Sequence, residues 1–194
     1  MIELMILGFL AEEPLHGYEL RRRMEQLHGY ARTISDGTLY PAITRLIKGG
    51  LVTRESEPGR AGAPRQTLRL TEAGRTRMLE RLREADGHDI TDGSRFFVVL
   101  SFLSLLPDRA ERDAVLRRRL DYLEQPASFF YDGDRPLRAA DLTDPYRRGI
   151  LLSARATSRA ERAWIRELLD HDAAQNDGAP DNNSQDNSSK KETP

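Results

Sequence analysis

The chain contains no cysteine. That excludes a disulfide framework and a thiolate metal site, and a reducing interior is the expected setting. The four histidines, His16, His28, His88 and His171, lie far apart in the sequence. They show no metal-ligand spacing, and no metal or cofactor is expected. Long hydrophobic runs are missing too. The longest, Phe96 to Leu106, has 11 residues and includes two serines. It is too short to span a bilayer and reads as a buried helix, so no membrane partner is expected. Met1 leads directly into an amphipathic segment with no basic leader and no cleavage site, which makes the cytoplasm the expected location. There is no P-loop, no dinucleotide glycine fingerprint and no nucleophile elbow. Acidic pairs such as Asp132 and Asp134 sit in a turn-like stretch and read as solvated. An enzyme is not expected.

With 194 residues, 38% of them hydrophobic and 31% charged, the chain suits a soluble globular protein of one sizeable domain or two small ones. The net charge of −1 points to no partner by itself. Residues 1–85 hold 14 basic and 11 acidic side chains, residues 86–174 hold 14 and 16, and residues 175–194 hold 2 and 4. The basic excess at the start is small, so local clustering has to carry any argument for nucleic acid.

Ile2, Met5, Ile6, Phe9 and Leu10 recur at helical spacing and predict one inward helix face, ended by Pro14. A second helix is predicted from about Leu15 to Leu27, with Leu20, Met24 and Leu27 inward and Gly29 as its stop. Ser35, Asp36 and Thr38 are all N-cap candidates for a third helix. Pro41, which lacks an N–H, places its start close to Thr38. Leu39, Ile43, Leu46 and Ile47 form the inward stripe of that helix, and Gly49-Gly50 stops it. Strands are predicted for Leu51 to Glu57 and for Gln66 to Leu70, around the turn-rich loop Pro58 to Pro64. Thr71 caps a helix from about Glu72 to Ala85, with Met78 and Leu82 inward. Asp86 to Gly93 is polar and turn-like and reads as a domain boundary. Three more helices are predicted: about 94–106, about 108–125 with Leu116, Leu120 and Leu123 inward, and about 145–172 after the cap Asp144. Residues 126–143 are a loop or include a short turn. From about Gln175 no large apolar residue remains, and a disordered tail is expected.

Two helices on a short connector, followed by a strand pair with a basic loop, define a winged helix-turn-helix. DNA binding by such a unit needs a helix with polar side chains for the major groove and a positive projection for the flanking phosphates. The groove-facing candidates are Thr38, Tyr40, Pro41, Thr44 and Arg45, with Lys48 nearer the backbone. From Pro58 to Leu70 the wing holds Arg60, Arg65 and Arg69 and no acidic residue. Gly17 and Tyr18 open the preceding helix, where backbone N–H groups can point at a phosphate. Arg21-Arg22-Arg23 reads first as a solvated helix surface and second as a phosphate contact.

Pro14-Leu15-His16-Gly17-Tyr18-Glu19-Leu20, Asp36-Gly37-Thr38-Leu39-Tyr40-Pro41-Ala42-Ile43-Thr44-Arg45-Leu46, Gly50-Leu51-Val52 and Leu70-Thr71-Glu72-Ala73-Gly74 together resemble the PadR family of bacterial transcriptional regulators. The resemblance covers about residues 4–76. The later helices are similar, more loosely, to the longer C-terminal domain of the virulence-activator-related group. The resemblance implies a homodimer whose C-terminal helices pack across the two-fold axis, and a repressor on a palindromic double-stranded operator. It carries DNA contacts to His16, Gly17 and Tyr18, to Thr38, Tyr40, Pro41 and Arg45, and to the wing. The family's wing often reads Gly-Arg-Pro-Arg before an aromatic pair. Here Ala63 stands in place of the first arginine, Arg60 lies nearby, and the aromatics are missing.

The expected fold is therefore mainly α with a small β-wing. Residues 1–85 form the winged helix-turn-helix, residues 86–174 a C-terminal α-helical dimerisation domain, and residues 175–194 a polar tail. Phe96, Phe97, Phe102, Tyr146, Trp164 and Leu168 are the dimerisation or effector candidates. Aromatic residues at helical spacing read first as core or dimer interface and second as the lining of a small-molecule pocket. Phe129-Phe130-Tyr131 reads first as a dimer contact and second as a ligand contact. The alternatives to a DNA-binding regulator are a winged-helix protein-interaction module, which predicts wing arginines paired to acids, and a small-molecule sensor.

Overall fold

Ile2–Glu12 has apolar residues on every side, and a helix of that kind is stable only when neighbours cover it all round. In the computed structural model this helix, α1, has Leu4, Met5, Ile6, Leu7, Gly8 and Leu10 buried, while Ile2 and Phe9 are half-buried. The single inward face read from the sequence is thus a correction to make: Leu4 and Leu7 are covered as well. Helix α1 touches α2 (Gly17–Leu27), α3 (Asp36–Lys48), β3 (Arg65–Leu70), α4 (Glu72–Arg83) and α6 (Gly93–Phe102). The structure describes residues 1–27, 29, 34–57, 65–125 and 131–176, and of residues 57, 65 and 171–176 it describes the backbone alone.

The second helix starts two residues later than its periodicity suggests. Leu15–His16 forms a short strand, β1, with Leu15 opposite Leu68 and His16 opposite Thr67. This pairing gives one edge of β3 its hydrogen-bonding partner. Strand β2 (Val52–Glu57) takes the other edge, so the antiparallel order is β1-β3-β2. Helix α3 begins at Asp36, with Ser35 as N-cap, two residues before the expected start at Thr38. Pro41 consequently lies in the second turn, and its missing N–H costs one intrahelical hydrogen bond, to Gly37. The helix still holds because Leu39, Ala42, Ile43 and Leu46 are all buried. It stops as expected at the glycine pair, where Gly50 takes φ +72°.

Thr71 performs the capping expected of it. Its Oγ1 accepts from the Gly74 N–H at 2.9 Å and donates to the Gly50 carbonyl at 2.7 Å, which ties the start of α4 to the end of α3. The backbone comes so close here that a Cβ on Gly74 would lie 2.0 Å from the Leu51 carbonyl oxygen. Met78 and Leu82 point into the core.

The polar stretch after α4 does not loosen the chain. It contains the short helix α5 (His88–Thr91), whose Asp89 is 8% exposed and accepts from Arg81 at 3.2 Å and from the Arg95 Nε at 2.9 Å. Helix α6 follows, then a 3-10 turn at Leu103–Leu105 and helix α7 (Arg109–Glu124). Phe102 packs on Gly8 of α1 and meets the Phe9 ring edge-on at 5.1 Å. On α7 the buried side chains are Val115, Leu116 and Arg119, while Leu120 and Leu123 are half-buried. The Arg119 guanidinium donates to the Ile90 carbonyl and lies over the Phe96 ring at 4.7 Å. Arg118 donates to the Arg83 carbonyl at 2.6 Å and Arg112 to the Leu106 carbonyl at 2.6 Å. Three arginines of α7 thereby meet carbonyls at the ends of α4, α5 and the 3-10 turn, groups a helix cannot satisfy internally. Contacts accordingly hold Met1–Gln125 together as one compact unit, beyond the turn-like stretch at residue 86.

The second unit, from residue 126 on, contains the hairpin β4 (Tyr131–Asp132) and β5 (Arg135–Pro136), a 3-10 turn at Ala139–Asp141 and helix α8 (Pro145–Asn176). Asp144 accepts from the Tyr146 N–H at 2.8 Å, the cap expected of it. Phe129 and Phe130, the loop 58–64 and the tail from 177 on lie outside the described residues. Among the described residues no helix is long and apolar enough to cross a membrane.

Alanine for glycine inside a helix ordinarily gains about 1 kcal/mol. At Gly74 the expected sign is reversed, with Gly74→Ala destabilising by about 3 kcal/mol through the backbone clash. Urea denaturation of the variant checks this, and a stability equal to or above that of the wild type would contradict it.

Candidate nucleic-acid interface

Helix α3 separates its residues cleanly. Leu39, Ala42, Ile43 and Leu46 are buried, while Thr38, Tyr40, Pro41, Thr44, Arg45 and Lys48 are all exposed. The six residues singled out from the sequence therefore share the outward side of one helix. Thr38 Oγ1 lies 2.8 Å from Ser35 Oγ at the start of the helix. Thr44 donates to the Tyr40 carbonyl at 2.9 Å, which leaves its methyl group and oxygen lone pairs outward. Arg45 lines a shallow hollow of about 240 Å3 with Thr38, Ala42 and the start of α1. Neither Arg45 nor Lys48 forms an ion pair among the described residues.

The arginine run on α2 splits by role. Arg21 donates to Asp36 at 2.7 Å, and so ties α2 to the first turn of α3. Arg23 pairs with Glu13 and Glu12. Arg22 is exposed. Arg21 thus braces α3, while Arg23 ties α2 to the end of α1. At the start of α2, Tyr18 is 65% exposed, and the Tyr40 ring lies across Gly17, its edge 3.5 Å from where a Cβ would stand. His16 is half-buried, and its Nδ1 lies 3.2 Å from the Gln66 carbonyl and 3.4 Å from Thr67 Oγ1. That nitrogen is spent on β3.

The sheet divides the charged residues by strand alternation. Val52, Arg54 and Ser56 stand opposite Leu70, Leu68 and Gln66, so these six share a face. Thr53 and Glu55 stand opposite Arg69 and Thr67 and share the other. Buried Leu68 belongs to the first face, which turns toward Ile43 of α3. Arg69 lies on the second, where its Nε donates to Glu55 at 2.6 Å. Arg65 stands in register with Glu57, its side chain being outside the description, and Arg60 lies outside the described residues altogether. The wing is free of acids between residues 58 and 70, yet the strand before the loop supplies two. Strand alternation could have exposed this only with the pairing register in hand, which the sequence does not give.

The first face carries a residue that sequence reasoning missed. Arg54 is exposed and lines a cleft of about 190 Å3 with Gly17, Tyr18, Tyr40, Gln66 and the apolar pair Ile43 and Leu68. No ion pair engages Arg54 among the described residues.

Of the dimerisation or effector candidates, read first as core or dimer interface and second as pocket lining, Phe96 and Phe102 are 2% and 1% exposed and lie in the core of the first unit, so neither is open to a partner chain or an effector. Phe97, Tyr146, Trp164 and Leu168 are exposed. Among the described residues no three His, Asp or Glu side chains group as metal ligands.

A three-stranded sheet, a helix with a polar outer side and the helices behind it define a winged helix. Residues 6–80 match the transcriptional regulator PadR-like family. The chain is 38% identical to the transcriptional regulator Rv3488 of Mycobacterium tuberculosis over 81 residues, which are 41% of this chain and 70% of that protein. It is 38% identical over 79 residues to an uncharacterised 37.1 kDa protein in transposon TN4556 of Streptomyces fradiae, of which it spans 21%. The crystal structure of Bacillus subtilis PadR in complex with operator DNA aligns over 87% of this chain and 96% of that one, at 18% identity and a TM-score of 0.42. The chain belongs to the PadR-like family of transcriptional regulators.

The Arg69–Glu55 pair is half-exposed on both sides. A double-mutant cycle with Arg69→Ala and Glu55→Ala is expected to give a coupling of about 0.5 kcal/mol that fades in 1 M salt. A coupling of zero at low salt would mean that Arg69 stands free of Glu55 in solution.

Proposed function

We propose that this protein is a sequence-specific DNA-binding transcriptional regulator, a dimeric repressor that occupies a palindromic operator. The observation that carries this reading is the outward side of α3. Six polar or small residues are exposed there, with Arg45 and Lys48 unpaired among the described residues, while the inner side is fully committed to the core. In this reading Arg45, Thr38 and Thr44 meet base edges in the major groove. Tyr18, Tyr40 and Lys48, with the backbone at Gly17, meet phosphates. The wing loop, with Arg60 and Arg65, follows the neighbouring backbone. Residues 1–85 act as the DNA-binding head, residues 86–174 carry dimerisation and any effector response, and residues 175–194 are a polar tail. The site of action is the cytoplasm.

Dimerisation is supported by α8. Tyr146, Ile150, Trp164 and Leu168 are all exposed, and their spacing puts them within about 40° of one another around the helix. An exposed apolar stripe of this kind marks an interaction surface. Two heads related by a two-fold axis would then read half-sites about 34 Å apart, or a multiple of that distance.

One observation favours a second reading, the protein-docking winged helix. Arg69 is paired to an acid, as that reading predicts for wing arginines. The two are separated by fluorescence-anisotropy binding to the DNA upstream of the protein's own gene and to a scrambled duplex, at about 150 mM salt. The regulator is expected to prefer the promoter, and Tyr40→Ala combined with Arg45→Ala is expected to abolish that preference. Equal binding to both duplexes by the wild type would favour the docking module.

A further inference from the structure

The cleft beside α3 contains four polar side chains that no hydrogen bond or ion pair engages among the described residues: Tyr18, Tyr40, Arg54 and Gln66. Arg21, Arg23, Arg69, Arg81, Arg83 and Arg95 each have a carboxylate partner. Arg54 sits two residues from Val52 on the same strand face, opposite Leu68, so the strand's alternation turns it toward α3 and away from Glu55. No carboxylate lines the cleft, and its floor is apolar, formed by Ile43 and Leu68.

We propose that Arg54, the Gln66 amide and the hydroxyls of Tyr18 and Tyr40 form a seat for one phosphodiester of the DNA backbone. The inference rests on the regulator reading and adds to it two contact residues outside the recognition helix and the wing loop, Arg54 on β2 and Gln66 on β3.

The chemistry of the seat fits an oxyanion. A guanidinium presents several N–H donors in a planar fork, a carboxamide adds two, and each phenol adds one. An apolar floor keeps water from one side of the contact and strengthens a charge-assisted hydrogen bond. At about 190 Å3 the cleft has room for about six waters at about 30 Å3 each, enough for a phosphate group with solvent around it. Its position also argues for backbone over base. The cleft lies between the start of α2 and the sheet, beside Ile43 on the buried flank of α3, whereas the ridge that reads bases is on the outward side. The role of Arg54 is therefore to set affinity and register, while sequence choice stays with α3. This also assigns the sheet's phosphate contact to the face that Arg54 of β2 shares with Gln66 of β3, and leaves Arg69, on the opposite face and paired to Glu55, without one.

The test uses the full-length chain and compares the wild type with Arg54→Ala, Arg54→Lys and Gln66→Ala. Anisotropy titrations run against promoter and scrambled duplexes over a salt series, with thermal melts to confirm folding. Arg54 is exposed, so the melts are expected to match. Arg54→Ala is expected to weaken binding to both duplexes alike, by about tenfold, the scale of one hydrogen bond to a charged group. It is also expected to reduce the slope of log affinity against log salt by about 0.9. Arg54→Lys is expected to keep the slope and lose part of the affinity, because the charge remains and the fork does not. If Arg54→Ala leaves affinity and slope unchanged while the wild type still prefers its promoter, the seat is refuted and the regulator reading stands. If Arg54→Ala keeps the slope but loses the promoter preference, the phosphate assignment is refuted in favour of a base contact. A wild type whose DNA binding shows neither preference nor salt dependence overturns the regulator reading, and the seat with it.

Discussion

Helix α1 has no polar side to turn toward water, and the architecture of the first unit follows from the need to cover it. Leu4, Ile6 and Leu7 are almost wholly removed from solvent. At about 25 cal/mol per Å2 of apolar surface, each such side chain favours the folded state by about 2 kcal/mol, so leaving any side of α1 bare would be costly. The chain surrounds it with α2, α3, α4, β3 and α6. One consequence is that α3 is fixed from behind. Its inner residues Leu39, Ala42, Ile43 and Leu46 are all committed to the core, and Arg21 holds its first turn through Asp36. The side left outward is the one with Tyr40, Thr44, Arg45 and Lys48. A rigid helix presenting a defined polar side is what reading a groove requires, since mobile side chains on a mobile helix would lose entropy on binding. The same demand draws α6 inward. Phe102 seats on Gly8, whose missing side chain lets the ring reach the helix backbone.

Charge is organised by the same economy. With 30 basic and 31 acidic residues, the chain has no surplus to attract nucleic acid at a distance. Selectivity of sign has to come from which cations are left unpaired. Arg112, Arg118 and Arg119 of α7 are turned onto carbonyls, Arg21 of α2 braces α3, Arg23 pairs with Glu12 and Glu13, and Arg69 is matched by Glu55. Arg45 and Lys48 on α3 and Arg54 on β2 are left without a carboxylate among the described residues. All three lie around the same helix, and no acidic side chain lines the cleft beside it. These three cations thus gather around α3 in a molecule whose overall charge points to no partner, although exposed Arg22 and Arg75 also lack an ion pair among the described residues.

Much of this was legible in the sequence because helices announce themselves by period and cap. Thr71 and Asp144 cap as their positions suggest, Gly50 stops α3, and the polar outer side of α3 is the one read from residues 38–48. The start of α3 was misplaced by Pro41, which the core holds in the second turn although a proline prefers the first. The stretch 86–93 looked like a linker because its polar residues conceal an internal purpose: Asp89 joins Arg81 and Arg95, a contact no local pattern reveals. Strand β1 was invisible for a similar reason, since two residues have no period and exist as a strand only because β3 has an open edge. The wing misled most. The role of an arginine there depends on which face of the strand pair it occupies, a register that the sequence alone does not give. Arg69 was therefore credited with a freedom it lacks, and Arg54, lying before the loop in a run with two glutamates, was passed over.

The central claim is that the face of the sheet shared with α3, and not its reverse, meets DNA. The absence of cysteine allows a direct test, because a single introduced thiol can be labelled without competition. Gln66→Cys and Arg69→Cys would each be coupled to a photo-crosslinker and irradiated with the promoter duplex. Efficient crosslinking from position 66 and little from position 69 is the predicted result. Crosslinking from position 69 with none from position 66 would place the DNA on the other face and contradict the account.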